Sequence, residues 1–117
     1  MASETLRNPH TDQLLTPENS ALIIIDYQPV QVSSIRSMPR EELVFNITSV
    51  AKAAVNYNVP IIHSTVNVAT GRNKPPIQAL QEVLGHLPTY DRTSINSWED
   101  TEFKQAVKAL GRKKLIM

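Results

Sequence analysis

Ser20-Ala21-Leu22-Ile23-Ile24-Ile25-Asp26-Tyr27-Gln28-Pro29 is the stretch that decides the fold. Its apolar residues run without alternation and stop at an acid. The run is too short for a core helix and is rich in isoleucine. It predicts a strand buried on both faces, as in the middle of a parallel sheet. Asp26 then falls at or just beyond the carboxyl end of the strand, the edge where open parallel sheets bind ligands. The ordinary alternative is a turn residue, since aspartate favours turns.

Upstream, residues 1–19 read as a polar surface arm with Leu6, Leu14 and Leu15 as its substantial anchors, closed by a turn at Thr16-Pro17-Glu18-Asn19. Downstream, Pro29 to Arg36 is a linker without a clear assignment. Leu43, Ile47, Val50, Ala51 and Ala54 then mark one face of a helix over 38–57. Glu41 and Glu42 sit in its first turn, where negative charge is favourable, and Pro39 is tolerated there. Pro60-Ile61-Ile62-His63-Ser64-Thr65 predicts a second strand. The polar loop from Asn67 to Pro76 leaves its carboxyl side. Ile77, Leu80, Val83 and Leu84 suggest a short helix closed by Gly85, and Pro88 to Arg92 is weakly strand-like. Ser97, followed three places later by Asp100, resembles a helix cap. Phe103, Ala106, Val107 and Leu110 give the buried face of that helix, Gly111 stops it, and Arg112 to Met117 begins another strand.

Helices separate every predicted strand pair, so the sheet should be parallel with right-handed crossovers. The length of 117 residues suits one domain. A formal charge of +1 gives no reason to expect a nucleic-acid or membrane partner. There is no signal-peptide pattern and no apolar run long enough for a membrane span, so a cytoplasmic protein is expected. The chain contains no cysteine, which removes disulfides, thiolate metal sites and a cysteine nucleophile within these residues. Its three glycines, Gly71, Gly85 and Gly111, cannot form a dinucleotide fingerprint or a P-loop.

Asp26 is the leading candidate for acid–base chemistry, because a carboxylate beside apolar strands can be tuned as a base. Arg92 is its most plausible partner, able to clamp a carboxylate bidentately; the local alternative is a surface ion pair between Arg92 and Asp91. His63 reads as a hydrogen-bonded core or edge histidine, with a ligand or base role as the alternative. His10, His63 and His86 have no metal-site spacing, so neither metal nor cofactor is expected. Asn96, Trp98 and Asp100 either line a pocket or cap and pack the following helix. The loop from Asn67 to Pro76 either covers a site or is ordinary surface with Arg72 and Lys74 solvated.

Ala21 to Pro29 resembles the first strand and catalytic aspartate of the isochorismatase-like cysteine hydrolases. Tyr90-Asp91-Arg92-Thr93-Ser94-Ile95-Asn96-Ser97-Trp98-Glu99-Asp100-Thr101-Glu102-Phe103 is similar to a subgroup with arginine where most members have lysine. Gly111 to Met117 resembles the segment leading into the strand before the catalytic cysteine. The resemblance implies a three-layer, doubly wound α/β fold with a parallel sheet of the Rossmann-like kind. Residues 1–19 would be an arm and 20–117 a partial hydrolase domain, truncated after the fourth strand.

The resemblance also implies a mechanism. The carboxylate of Asp26 takes a thiol proton, cationic Arg92 favours the thiolate, and the thiolate attacks an amide or imide carbonyl. Tyr27, Gln28, Asn96 and Trp98 would form the pocket wall around a small-molecule substrate. With no thiol, these residues alone should not carry out cysteine-type hydrolysis. An exposed strand edge should follow from the truncation, and with it association into a homo-oligomer. The alternatives are a catalytically inactive paralogue serving interaction or ligand binding, and an unrelated doubly wound ligand-binding domain.

Overall fold

The computed structural model describes residues 1–117. The isoleucine-rich run forms β1 (Ser20–Ile25), paired in parallel on both sides: with β2 (Ile61–Val66) and with β4 (Lys114–Ile116). β3 (Thr89–Arg92) adds to the far side of β2, giving the order β3-β2-β1-β4. Leu22 lies opposite Ile61, Ile24 opposite His63, and Ala21 opposite Leu115. β1 is therefore central, which explains why its apolar residues do not alternate with polar ones. The outer edge of β4 carries no strand.

Side chains of β1 alternate between two cores. Leu22 and Ile24 pack against α2 (Arg40–Asn56) and α3 (Gln78–Leu84), with Ile47, Ala51, Leu80 and Leu84. Ile23 joins Ile62 and meets Phe103 and Val107 of α4 (Thr101–Leu110) on the other face. Helices on both faces of a parallel sheet make the three layers. Ile24, Leu80 and Leu84 are essentially inaccessible, and full burial of such a side chain stabilises by about 1.5–3 kcal/mol.

Three local expectations need correction. Pro29–Ser33 is a short helix, α1, rather than an unassigned linker. Proline at its start loses no helical hydrogen bond, and Val32 is buried in the α2/α3 core while Val30 stays exposed. Ser97 does not cap α4. Ser97–Glu99 is a 3₁₀ turn capped by Asn96, whose side chain accepts from Trp98 N–H at 3.0 Å. Asp100 is the cap of α4 and accepts from Phe103 N–H at 2.9 Å. Two caps in succession let the chain turn twice before the helix. Gly111 closes α4 in the left-handed conformation, φ 63°, which costs glycine little.

Residues 1–19 contain no helix or strand, and polar contacts rather than leucines anchor them. Leu6, Leu14 and Leu15 are exposed. Asn19 is buried and donates to the carbonyls of Asp12 and Leu14 at 3.2 and 2.9 Å. Lys114 Nζ donates to the same two carbonyls, and Arg112 to that of Pro17. No helix is long and apolar enough to cross a membrane.

Candidate functional site

The site begins where β1 ends. Asp26 still donates its N–H to Ser64 O at 3.1 Å, in line with the β1–β2 ladder. Its φ of 61° then turns the chain off the sheet. Left-handed backbone is unfavourable for most residues and best tolerated by Asn, Asp and Gly. The turn points the carboxylate at the end of β3, where Arg92 meets it. Arg92 Nη1 donates to Asp26 Oδ1 at 2.7 Å and Nη2 to Oδ2 at 2.8 Å. Nη1 also donates to Ser64 Oγ and Thr65 O, both at 3.1 Å, and Nη2 to Ile95 O at 3.0 Å. The guanidinium side chain is 1% exposed and the carboxylate side chain 24%. Arg92 thus lies behind Asp26 and holds it, while Asp26 looks outward. Arg92 Nε is buried without a partner.

The local alternative, a pair between Arg92 and Asp91, is overturned, because successive strand residues point to opposite faces. Asp91 faces its register partner Thr65 and accepts from Thr65 Oγ1 at 2.8 Å. It also accepts from Val68 N–H at 3.1 Å and Ala69 N–H at 2.9 Å. Burial pushes its pKa up, but the Ala69 and Val68 amides, the Thr65 hydroxyl and the nearby Arg92 charge outweigh that, and the net direction is down.

Gln28 is wholly buried. Its side-chain amide pairs with Val66 as a neighbouring strand would: Nε2 donates to Val66 O at 2.9 Å and Oε1 accepts from Val66 N–H at 3.0 Å. Nε2 also donates to Lys74 O at 2.8 Å. Asp91 therefore fastens the start of the 67–74 loop and Gln28 its finish. Between them, Asn67 is left-handed at φ 58° and accepts through its carbonyl from Asn73 N–H at 2.9 Å, drawing the loop into a closed turn.

Asp26 and Arg92 open into a cavity of about 410 Å³. α1 contributes Val30 and Gln31 to its wall, the loop contributes Asn67, Arg72 and Asn73, and Val66 and Ile95 complete it. Of the six expected site residues, Asp26 and Arg92 line this cavity, and Gln28 underlies its wall. Tyr27 lines a separate apolar groove with Leu43, Ile47 and Met117. Asn96 caps the 3₁₀ turn, and Trp98 is 44% exposed beneath Lys104 Nζ, 5.3 Å from the ring centroid. Neither lines the cavity. Sequence reasoning named no role for Val30, Gln31 or Ile95. The position of the loop past a strand's carboxyl end was the signal for Asn67, Arg72 and Asn73.

His63 is a core residue, 2% exposed, but its expected hydrogen bond is missing: Nε2 has no partner. Burial lowers its pKa from the ordinary 6.5. It lines a second cavity with Thr65, Pro76, Gln81 and Thr89. No cluster of three or more His, Asp or Glu side chains is arranged to hold a metal.

Strand order and the charged pair together define a doubly wound parallel α/β domain with its polar centre at the topological switch strand, β1. Residues 20–117 match the isochorismatase domain, and the chain belongs to that family. It is 30% identical over 104 residues to the probable hydrolase YcaC of Escherichia coli (strain K12), an alignment covering 88% of this chain and 50% of YcaC. Among solved structures it is similar to YcaC from Pseudomonas aeruginosa with hexane-2,5-diol and covalent acrylamide. That match has a TM-score of 0.80 and 31% identity, over 90% of this chain and 52% of the other. The Escherichia coli YcaC gene product, an octameric hydrolase of unknown specificity, is similar with a TM-score of 0.78 and 27% identity, over 97% and 52%. The chain spans about half the length of these relatives. It is a hydrolase-family sequence whose 117 residues contain no cysteine nucleophile.

Proposed function

We propose that these residues carry the carboxylate–guanidinium half of an isochorismatase-family hydrolytic site for a small amide, imide or related substrate. The thiol nucleophile would come from sequence outside them. The bidentate Asp26–Arg92 pair at the mouth of a cavity carries this reading. Asp26 is the base that takes the thiol proton. Arg92 stays charged throughout; it fixes the carboxylate through both oxygens and leaves the outer lone pairs of the carboxylate for the proton. The thiolate then attacks the carbonyl carbon, the proton held by Asp26 passes to the amine or amide nitrogen as it leaves, and water releases the acyl group from sulfur as the carboxylic acid. Acrylamide held covalently by the Pseudomonas aeruginosa relative supports an amide-sized space beside a nucleophile in this family.

The octameric relative supports homo-oligomeric assembly of this protein too, and we assign it to the cytoplasm. The deciding experiment is the intact mass of the protein from its source, followed by amide turnover by that product. The expected product is longer than 117 residues, contains a cysteine after β4, hydrolyses an amide, and loses turnover in D26N. A product ending at Met117, or one that retains full turnover in D26N, overturns the reading. The former outcome favours a catalytically inactive protein serving interaction or ligand binding.

A further inference from the structure

We infer that Arg72 recognises an anion in the Asp26 cavity, so that the ligand of this site carries a carboxylate. The inference rests on taking this cavity as the ligand site; it adds the ligand's charge and the residue that reads it.

Asp26 and Arg92 neutralise one another through two parallel hydrogen bonds. The other polar groups of the wall, Gln31, Asn67 and Asn73, are neutral amides, and the remainder are apolar. Arg72 is the one charge left over. It makes no ion pair, since those of the chain are Arg7–Asp12 and Arg92–Asp26. No acid occurs between Val66 and Gln81 to supply one from its own loop.

The backbone under Arg72 is built, although its side chain is exposed. Gly71 precedes it at φ 77°, a conformation glycine adopts freely, and donates to Val68 O at 3.0 Å. Asn73 follows and closes the turn onto Asn67 O. Side chains hold both ends: half-buried Asp91 grips Val68 and Ala69, and buried Gln28 grips Val66 and Lys74. A solvated surface arginine needs none of this. A planar fork of donors presented by a fixed loop, next to apolar Val30 and Ile95, suits a carboxylate on a small organic body. One uncommitted cation matches one negative charge.

The test is a pair of isosteric probes that differ in charge, benzoate and benzamide, with acetate and acetamide as the smaller pair. Each is titrated at low ionic strength while backbone amide shifts of the 67–74 loop are followed. The wild-type chain should bind the carboxylates roughly tenfold more tightly than the amides, the size of one charge-assisted hydrogen bond. R72Q should bring each pair within about twofold. K74Q removes the same charge two residues away, from a side chain outside the cavity wall, and should leave the preference intact. Equal binding of acid and amide by wild type, no saturable carboxylate binding, a preference that survives R72Q, or an equal loss in K74Q would each overturn the inference. These titrations need no turnover. A carboxylate preference through Arg72 in a protein that lacks a cysteine in every form would retire the hydrolase reading and leave this one standing.

Discussion

Ser64 and His63 are neighbours on β2, both buried, and they show two ways of putting a polar side chain inside a protein. Ser64 faces the α4 side. Its hydroxyl accepts from Arg92 and donates to Tyr90 O at 3.0 Å, within a network that ends on Asp26. His63 faces the α2/α3 side, and its Nε2 has no partner at all. A buried polar group without a partner costs about 1–3 kcal/mol. The network on the site's face is thus tightly cross-linked at Ser64, whereas His63, one residue away on the opposite face, keeps a buried nitrogen with no partner.

The sharpest way to break the cross-linked face is to leave Arg92 alone. D26A should lose about 3–5 kcal/mol in chemical denaturation, the usual cost of stranding one member of a buried pair. D26N keeps a side-chain acceptor and tolerates the left-handed backbone, so it should lose distinctly less. Equal losses would mean that the shape of residue 26, rather than the pairing, matters. Q28A is next. It strands the Val66 N–H and the carbonyls of Val66 and Lys74, and should cost about 2–3 kcal/mol. Hydrogen exchange should quicken over residues 66–74 while α4 is unaffected.

D91N should cost about 1–2 kcal/mol at neutral pH. Because the folded pKa of Asp91 lies below the ordinary 3.8, its contribution is present above that value and lost as pH falls through the depressed one. Wild type and D91N should therefore converge in acid; a gap of constant size would refute the assigned hydrogen bonds. The smallest change probes the opposite face. H63L should leave stability at neutral pH unchanged or raise it by about 1 kcal/mol. The unfolded chain takes up a proton near pH 6.5 that buried His63 resists, so wild type should weaken as pH drops below 6.5. H63L should flatten that slope, and a slope identical to wild type would show that the burial of His63 is not its source.

Much of this was legible in residues. The uninterrupted Ile23-Ile24-Ile25 run marked the central strand, and the acid directly after it marked the strand end that opens into the cavity. The resemblance brought Arg92 to the same place, and one overlooked rule would have favoured that partner over Asp91: neighbours on a strand cannot share a face. What sequence did not yield lies where periodicity is absent. α1 is five residues long, too short to show a repeat, and only Pro29 announces it. The roles of Gln28 and Asp91 depend on contacts 38 and 23 residues away along the chain, to Val66 and Val68, which no local pattern encodes. Tyr27 and Asn96 sit next to cavity residues in sequence and Trp98 three places beyond Ile95, yet Tyr27 lines the apolar groove, and Asn96 and Trp98 belong to the capped 3₁₀ turn.

One feature of the topology bears on motion. Asp26 and Gln28 follow the central strand, which is paired on both sides, whereas Arg92 ends β3, a four-residue strand at the border of the sheet. Border strands open at lower free energy than central ones. The carboxylate and its clamp therefore belong to regions of different persistence: each excursion of β3 from β2 frees Asp26 while β1 stays in place. Native-state exchange should record Tyr90 and Arg92 opening well before Ile23 and Ile24, with release of the ion pair as the event that the opening reports.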